Sequence, residues 1–488
     1  MPITGGGSVT PMGAWMRKDC SYWASAAIVA LAGCVTPHPA PAPTPNATAP
    51  EEILSQMRKP AADGFAVQPV QFVRPPVELL RVEPGLTESA LIEAVLRQNP
   101  TLEETRAAVA AAEAKVPQAS SLDDPTATLW TAPCSYSSDR VNAAARLEIA
   151  QKLPWPGKRE LRGAAAAAEA GAAAGDLEEA RIRLIEATRA ALADLFVAER
   201  ALVVNKEAKE LLTELRRDAQ ARYTNLLTTQ QDMLQADVEL ARQEERTVAL
   251  KRAERVAAAR LNTLLHRAPD SPLGPAPAAL PESKSTPDVS ALQKQAVAER
   301  PDVKALAERI RAEEAAVAVA QSEYKPDVEV MAAYDGFWQG NDRPLQWQIG
   351  ARVNVPVRTA RRDAAVAEAQ ARVARRRAEM ARLVDQISLE VHEAVERQRE
   401  ARQVIALYDE RMLPAARSNV KEAQIGYTTG KVPFVALSEA QRTLAERRER
   451  YLEAQAELYR RQAALERVVG IPPVTSTEKL PPPSATSH

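Results

Sequence analysis

Few side chains in this sequence have the type and spacing that catalysis or metal binding requires. Cys134 has no histidine near it in the sequence, which makes a nucleophilic role for this thiol unsupported. His266 and His392 each stand alone, without a second histidine or a cysteine at metal-site spacing, and we expect both to be ordinary helix residues. There is no glycine loop that could cradle a phosphate, and the carboxylates follow the charge patterning of solvated helix faces. The sequence predicts a protein that is not an enzyme, with no catalytic residue, metal site or cofactor.

One cysteine does have a predicted chemical fate. A positive start, Met16-Arg17-Lys18, precedes the mostly apolar run Tyr22–Leu31. The following Leu31-Ala32-Gly33-Cys34 resembles a bacterial lipobox, whose cysteine is acylated and becomes the N-terminus of the mature protein. We therefore predict that residues 1–34 are an upstream extension and a lipoprotein signal peptide. A lipid on Cys34 would tether the chain to the outer membrane without defining its function.

The chain behind this segment repeats itself at a spacing of about two hundred residues. Pro100 and Pro301 are offset by 201 residues, and Tyr223 and Tyr427 are offset by 204. A duplication this long predicts two copies of one structural unit. The predicted divisions after the signal are a Pro/Ala-rich linker at 35–85, the first copy at 86–281, the second copy at 282–472 and a flexible tail at 473–488.

Composition favours long helices over a compact globular core. Aromatic residues make up only 4% of the 488 residues, and the net charge of −1 gives no reason to expect nucleic acid as a partner. Each copy should open with a helical segment, Glu88–Ser121 or Asp288–Tyr324, that breaks near Pro100 or Pro301. Pro117 is a candidate for ending the first segment early. A much longer helix is predicted from Arg159 to about Tyr223, with a coiled-coil seam of residues spaced by 3 and 7: Ile182, Ile185, Leu192, Leu195 and Leu202.

Two strands are predicted in each copy, between the short and the long helices. Their side chains alternate between apolar and polar, which is typical of transmembrane barrel strands. The first copy alternates less cleanly, because Gln151 interrupts the apolar positions of Leu147, Ile149 and Leu153. In the second copy we expect Val328, Val330, Ala332 and Tyr334 to share one face. The next strand gives lipid-facing candidates Trp347, Ile349 and Val353, and lumen candidates Gln348, Arg352 and Asn354. Four strands cannot close a barrel, whereas three copies would supply 12.

Each long helix is predicted to reverse into a second one. The reversals fall near Tyr223-Thr224-Asn225 and near Tyr427–Gly430, where asparagine or glycine can adopt the left-handed conformation of a helix end. Pro414 should interrupt and locally bend the second long helix.

The order of helix, two strands, proline turn and two long helices, found twice behind a lipoprotein signal, resembles the TolC-type outer-membrane efflux family. The resemblance covers roughly residues 86–472, and its most specific parts are the Pro154-Trp155-Pro156-Gly157-Lys158 turn, Leu413-Pro414, and Tyr427 to Gly430 with Ala440 following. It implies a homotrimer with a 12-stranded outer-membrane barrel, a long α-helical coiled-coil barrel across the periplasm, and hairpin ends that meet the adaptor of a tripartite pump.

The resemblance also assigns the adaptor-contact residues. Carried over to this sequence, the hairpin ends are Tyr223–Thr228 and Tyr427–Val432. The contact residues would be Tyr223, Asn225, Tyr427, Gly430 and Val432. The first hairpin departs from the pattern, because Leu226 stands where the second has Gly430.

The function predicted from these features is a passive exit duct of a tripartite efflux system. The duct would span the outer membrane and extend into the periplasm, with an adaptor and an inner-membrane pump as partners. The Pro154–Lys158 turn resembles members that travel with heavy-metal pumps, so heavy-metal cations are candidate solutes. The alternatives are a type I secretion or multidrug duct of the same fold, and a lipid-anchored periplasmic coiled-coil scaffold.

Overall fold

The computed structural model describes residues 86–131, 144–225, 229–281, 288–337 and 346–470. The predicted lipidation site Cys34, the linker, Cys134, Leu226 and the C-terminal tail lie outside these ranges. The chain divides into two compact units, one with most of the strand residues (127–149 and 332–350) and one with the helices and the strand ends beside them. Among the described helices, none combines the length and apolar character needed to cross a membrane.

The described elements follow the same order twice, as the duplication predicts. In the first copy they are α1 (Glu88–Gln98), α2 (Pro100–Ser120), β1 (Thr126–Thr131), β2 (Ala144–Leu153), α3 (Lys158–Thr224) and α4 (Gln230–Leu264). In the second copy they are α5 (Val289–Glu299), α6 (Pro301–Ser322), β3 (Val328–Phe337), β4 (Gln346–Val353), α7 (Thr359–Leu407), a π-helical turn (Tyr408–Met412), α8 (Leu413–Thr428) and α9 (Phe434–Val469). The four strands form one sheet in the order β1-β2-β3-β4. The fold class read from the sequence, long helices with two strands in each copy, is confirmed.

The opening helical segments break at Pro100 and Pro301, as predicted. The residue before each proline is extended, because the proline ring excludes the helical conformation there. The side chain of this residue also joins the start of its copy to the end of that copy's last helix. The Asn99 amide donates to the Leu264 carbonyl at 2.8 Å, and the Arg300 guanidinium donates to the Val468 carbonyl at 3.4 Å. The expectation for Pro117 was wrong. It lies inside α2, which continues to Ser120, since a proline removes one hydrogen bond without stopping a helix that is packed along a neighbour.

The long helix α3 begins and ends within one residue of its predicted bounds. At about 1.5 Å per residue it is about 100 Å long. Four of the five seam residues, Ile182, Ile185, Leu192 and Leu195, are buried, and Leu202 is half-buried. Helix α4 returns antiparallel along α3, as shown by the ion pairs Lys209–Glu244 and Arg216–Asp237, in which one residue number rises as the other falls.

A one-residue insertion separates the two long helices. Buried residues of α3 have buried equivalents in α7 that lie 203 positions later, for example Leu192 and Val395. Further along, the buried pair Leu212 and Ala416 is 204 positions apart. The π-helical turn Tyr408–Met412 lies between these positions and accommodates the extra residue, because its hydrogen bonds span five residues instead of four. The turn ends two residues before Pro414 and interrupts the α-helical hydrogen bonding of the second long helix, as predicted, whereas the bend expected at Pro414 stays a prediction.

The structure corrects the expectation for His266. This residue is not helical; it follows the end of α4 with a φ of 53°. Its N–H donates to the Thr263 carbonyl and the Arg267 N–H to the Asn262 carbonyl, the hydrogen-bond pattern of a Schellman motif. In the second copy, at an offset of 204, the corresponding residue is Gly470, with a φ of 77°. A glycine adopts this conformation without the steric cost that a histidine incurs.

Replacing His266 with glycine is therefore expected to stabilise the protein by about 0.5–1 kcal/mol. The measurement is the melting temperature of the detergent-extracted protein. The matched control is His392→Gly, an exposed position within α7, where glycine should destabilise by about 1 kcal/mol. Equal destabilisation by both substitutions would contradict the equivalence of His266 and Gly470.

Candidate channel wall and hairpin tips

Two contacts fix the register of β3 and β4. The rings of Tyr334 and Trp347 meet edge to face with centroids 5.1 Å apart. Glu329 lies five residues before Tyr334 in β3, and Arg352 lies five residues after Trp347 in β4. Arg352 donates to Glu329 at 2.7 Å. Five is an odd number, so the aromatic pair and the ion pair lie on opposite faces of the antiparallel hairpin.

The alternation read from the second copy is thus present in the structure. Trp347, Ile349 and Val353 are exposed on the apolar face, and Arg352 lies on the polar one. Gln348 and Asn354 share the Arg352 face by strand periodicity, and both are exposed. Assignment of the apolar face to lipid and of the polar face to a lumen stays a prediction.

The first copy carries the same two-sided pattern in β2. Leu147, Ile149 and Leu153 are exposed, while Arg146 pairs with Glu148 on the other face at 3.0 Å. Gln151, which interrupts the apolar positions, donates its amide to the Asp123 carbonyl at 2.8 Å. The predicted break in the apolar face is therefore a polar contact to the segment that leads into β1.

The Pro154–Lys158 turn is anchored by a buried lysine. Gly157 has a φ of 88° and begins α3, which directs Lys158 inward. The Lys158 side chain is only 1% exposed, and its Nζ lies 3.0 Å from both Asp327 carboxylate oxygens and 3.0 Å from Glu323 Oε1. The Trp155 N–H also donates to Asp327 at 3.0 Å. Lys158 thus joins the first copy's turn to the residues just before β3 in the second copy.

The charge state of Asp327 follows from these contacts. Burial alone would raise the pKa of its carboxyl, but the Trp155 N–H and the Lys158 ammonium outweigh burial and hold the pKa below its ordinary value. Asp327 is therefore ionised at neutral pH, and the ion pair with Lys158 is intact there.

The second hairpin tip is a compact turn between α8 and α9. The Gly430 N–H donates to the Tyr427 carbonyl at 3.1 Å, and the N–H groups of Lys431 and Val432 donate to the Gly426 carbonyl. The Tyr427 ring is buried against Phe434 at 5.7 Å, whereas Gly430 is exposed and Val432 is half-buried. Of the predicted contact residues here, Tyr427 therefore packs inside the tip, and Gly430 lies at its surface.

The two tips are joined to each other. Arg222, near the end of α3, donates to the carbonyls of Tyr427 and Thr428 at 3.1 and 3.2 Å, and its guanidinium lies 4.8 Å from the Tyr427 ring centroid. Tyr223 and Asn225 beside it are exposed. A shared apolar cluster underlies the tips: Leu212, Leu215, Ala236, Tyr427, Phe434 and Leu437. Contact of an adaptor with these tips stays a prediction.

Replacing Arg222 with leucine is expected to loosen the second tip, because a cation on the last carbonyls of α8 stabilises that helix end. Amide hydrogen exchange of residues 427–434 should accelerate roughly tenfold, which corresponds to a loss of about 1.4 kcal/mol, near the value of a hydrogen bond to a charged group. The control is Arg217→Leu, an exposed position one and a half turns earlier in α3. Unchanged exchange in Arg222→Leu would mean that the tips are not coupled through this side chain.

The sequence patterns did not predict the long-range contacts of Lys158, Arg222 and Arg300. The only clue was their position beside a predicted feature: Lys158 ends the proline turn, Arg222 precedes the first hairpin reversal and Arg300 precedes Pro301. Within the described residues there is no cluster of histidine, cysteine and carboxylate side chains that could hold a metal ion.

Comparison with known proteins agrees with this architecture. Residues 292–471, most of the second copy, match the sequence family described as outer membrane efflux protein. The outer-membrane channel OprN is 22% identical with a TM-score of 0.67, over 78% of this chain and 89% of that one. VceC of Vibrio cholerae is 20% identical with a TM-score of 0.66, over 78% and 96%. CusC is 15% identical with a TM-score of 0.67, over 78% and 92%. No relative was found among curated protein sequences.

The sequence match covers the second copy, and the structural matches cover both. Since the first copy repeats the second element by element, the two kinds of match describe one architecture. The family is one of channel proteins rather than enzymes. Most of the second copy thus matches the outer membrane efflux protein family, and the fold of the described chain is that of outer-membrane channels.

Proposed function

We propose that three copies of this chain form the passive exit duct of a tripartite efflux system. The observation that carries the proposal is the β3–β4 hairpin, which places an aromatic pair on one face and an ion pair on the other within the fold of outer-membrane channels. The β1 and β4 edges of the four-stranded sheet need partners, and three copies would pair them in a 12-stranded barrel. The polar face, with Arg352 and Gln348, would then line a water-filled lumen.

The proposed partners follow from the hairpin tips and from the strands. At the tips, Tyr223–Thr228 and Tyr427–Val432 would contact a periplasmic adaptor that links the duct to an inner-membrane pump. In the strands, Trp347, Ile349 and Val353 would face outer-membrane lipid, with a lipid on Cys34 as an additional tether. A scaffold held only by lipid has no use for a sheet with one apolar and one polar face, which favours the duct over that alternative.

For the solute, we propose heavy-metal cations, on the resemblance of the Pro154–Lys158 turn to members that travel with heavy-metal pumps. A type I secretion or multidrug duct of the same fold is the alternative. Deletion of the gene separates these: accumulation of metal cations supports the first, and accumulation of organic drugs or retention of a peptide supports the second.

The duct itself is tested by conductance of the purified protein in a planar lipid bilayer. The unmodified protein should give stable channels, and Arg352→Glu should shift the reversal potential toward cation selectivity, because a lumen charge is reversed in every copy. Ile349→Asp should prevent insertion, since a carboxylate would face hydrocarbon. A protein without conductance, or an Arg352→Glu channel with unchanged selectivity and an Ile349→Asp channel that inserts normally, would overturn the proposed faces.

A further inference from the structure

Large apolar side chains are exposed where the strands end and the long helices begin. Leu153 and Trp155 stand at the first proline turn and are 39% and 38% exposed. Val355 and Val357 stand at the corresponding turn of the second copy and are 66% and 78% exposed. All four belong to the helical unit. Apolar side chains exposed together indicate a partner other than water.

The two turns lie side by side because both bind Asp327. The Trp155 N–H donates to the Asp327 carboxylate at 3.0 Å, and the Asn354 N–H donates to the Asp327 carbonyl at 3.0 Å. Trp155 and Val355, the residue after Asn354, therefore flank the same residue. Their exposed side chains contribute to one surface rather than to two separate ones.

Basic side chains lie at the edge of this apolar surface. Lys325 Nζ is 5.9 Å from the centre of the Trp155 ring. The Arg362 guanidinium donates to the Glu323 carbonyl at 2.7 Å and to the Arg358 carbonyl at 3.0 Å. Arg358 is therefore held at the end of α6 where Lys325 also lies. We call these side chains the junction surface: Leu153, Trp155, Lys325, Val355, Val357 and Arg358.

The two cations of the junction surface have no counter-charge within the chain. The carboxylates beside them, Asp327 and Glu323, are each 3.0 Å from the ammonium of the buried Lys158. Lys325 and Arg358 are exposed, and neither forms an ion pair with any residue that the structure describes. Two positive charges are thus available to an anion next to an apolar surface.

This combination matches the chemistry of a membrane lipid at the level of its head group. Tryptophan is enriched at membrane–water boundaries, where its ring contacts both apolar and polar groups. A lysine beside it can lay its aliphatic stem on the apolar surface and keep its ammonium at the level of the phosphates. A zwitterionic lipid carries its own ammonium group, whereas an anionic one does not. Two cations without partners therefore favour a lipid with a net negative head group.

We propose that the junction surface binds the head group of an anionic phospholipid, with Lys325 and Arg358 on the phosphate and with Trp155, Val355 and Val357 against the glycerol and the acyl chains. The proposal rests on the proposed function, in which the strands lie in the outer membrane, and it names the lipid that the duct holds there. Because the long helices would extend into the periplasm, the lipid belongs to the periplasmic leaflet.

Native mass spectrometry of the extracted protein, titrated with phosphatidylglycerol or with phosphatidylethanolamine of the same acyl chains, tests the head-group preference. Phosphatidylglycerol should bind more tightly. Lys325→Gln and Arg358→Gln should each weaken its binding about fivefold, since a cation near an anionic lipid surface contributes about 1 kcal/mol. Phosphatidylethanolamine should be affected less. The matched control is Arg375→Gln, an exposed arginine further along α7 without an ion pair among the described residues, which should change neither affinity.

The apolar part of the surface has its own test in the same titration. Trp155→Ala should weaken the binding of both lipids, because the ring is lost while the cations stay. Trp155→Phe should retain most of the affinity, since an aromatic ring remains next to Lys325. If Trp155→Ala left both affinities unchanged, the apolar contact would be refuted.

Conductance in a planar bilayer separates this proposal from the duct. Lys325→Gln combined with Arg358→Gln should still insert and conduct, because neither residue lies in a strand. A conducting protein that binds the two phospholipids equally would overturn the head-group site and leave the duct standing. Tighter binding of lipid A than of phosphatidylglycerol would overturn the choice of a periplasmic-leaflet lipid. An unmodified protein that neither inserts nor conducts would overturn both proposals.

Discussion

Replacing Lys158 with methionine is expected to destabilise the helical part of the protein by about 3–5 kcal/mol, because it leaves a partly buried carboxylate without its cation. The lysine is 1% exposed and lies between Asp327 and Glu323, while Asp327 is only 13% exposed. The measurement is the denaturant midpoint of the extracted protein. Lys158→Met combined with Asp327→Asn should recover most of the loss, since the uncompensated charge is then removed.

The control for this prediction is Lys115→Met. Lys115 forms an ion pair with Glu169 at 2.8 Å, but the two side chains are 61% and 52% exposed. Its removal should cost less than about 1 kcal/mol. If the two substitutions had equal effects, burial of Lys158 would not matter and the account of the turn would be wrong.

Lowering the pH should reduce the difference in free energy of unfolding between the Lys158→Met variant and the unmodified protein. The folded-state pKa of Asp327 is depressed below its ordinary value, so this carboxylate contributes stability above about pH 4 and loses that contribution as the pH falls through the folded-state pKa. In Lys158→Met the ammonium is absent. Protonation of Asp327 then removes the uncompensated negative charge that destabilises the variant. A gap that stays constant down to pH 3 would contradict this assignment.

Arg300→Asn should have an effect of similar size, about 3 kcal/mol, because it breaks a largely buried ion network. The guanidinium is 6% exposed and donates to Asp302 at 2.7 and 3.0 Å and to Glu390 at 2.7 Å. Burial would raise the pKa of Glu390, but hydrogen bonds from Arg300 and Gln386 outweigh burial and lower it. The charge of Glu390 therefore depends on the arginine.

The first copy shows how the Arg300→Asn variant can be rescued. There the residue before the proline is Asn99, which caps α2 through Thr101, and the position equivalent to Glu390 is Ala187. Arg300→Asn with Glu390→Ala should therefore restore most of the stability, because it gives the second copy the same pair of residues, asparagine and alanine, that the first copy has at these positions. Lys304→Met serves as the control, since its ion pair with Glu299 is exposed and should contribute less than about 1 kcal/mol. Failure of the double substitution to recover stability would mean that the two copies are not interchangeable at this junction.

Local sequence patterns were enough to predict the helices and strands of this fold. The contacts between side chains that are distant in sequence could be seen only in the folded chain. Proline at positions 100 and 301 breaks its helix, four of the five seam residues of α3 are buried, and the alternation of β4 appears as opposite faces, because consecutive or regularly spaced residues encode each of these features. Lys158 and Asp327 are far apart in sequence, so no local pattern joins them. Pro117 was misjudged because packing along α3 sustains α2 beyond it.

The duplication held information beyond the local patterns. His266 was expected to be helical, yet at the offset already visible between Tyr223 and Tyr427 it matches Gly470, a residue type that ends helices. The π-helical turn before Pro414 also follows from the change of offset from 203 to 204, but locating it required the burial of both long helices. Lumen and lipid faces, adaptor contacts, the lipid on Cys34 and the domain boundaries stay predictions.

Electron cryomicroscopy of the full-length protein, extracted from membranes in its assembled form, would show whether three copies enclose a lumen. We expect a ring of three copies around one continuous lumen, closed by 12 strands, with Arg352 facing the lumen and Trp347 facing detergent. A solid rod without a lumen, or a particle whose four-stranded sheets do not join, would contradict it.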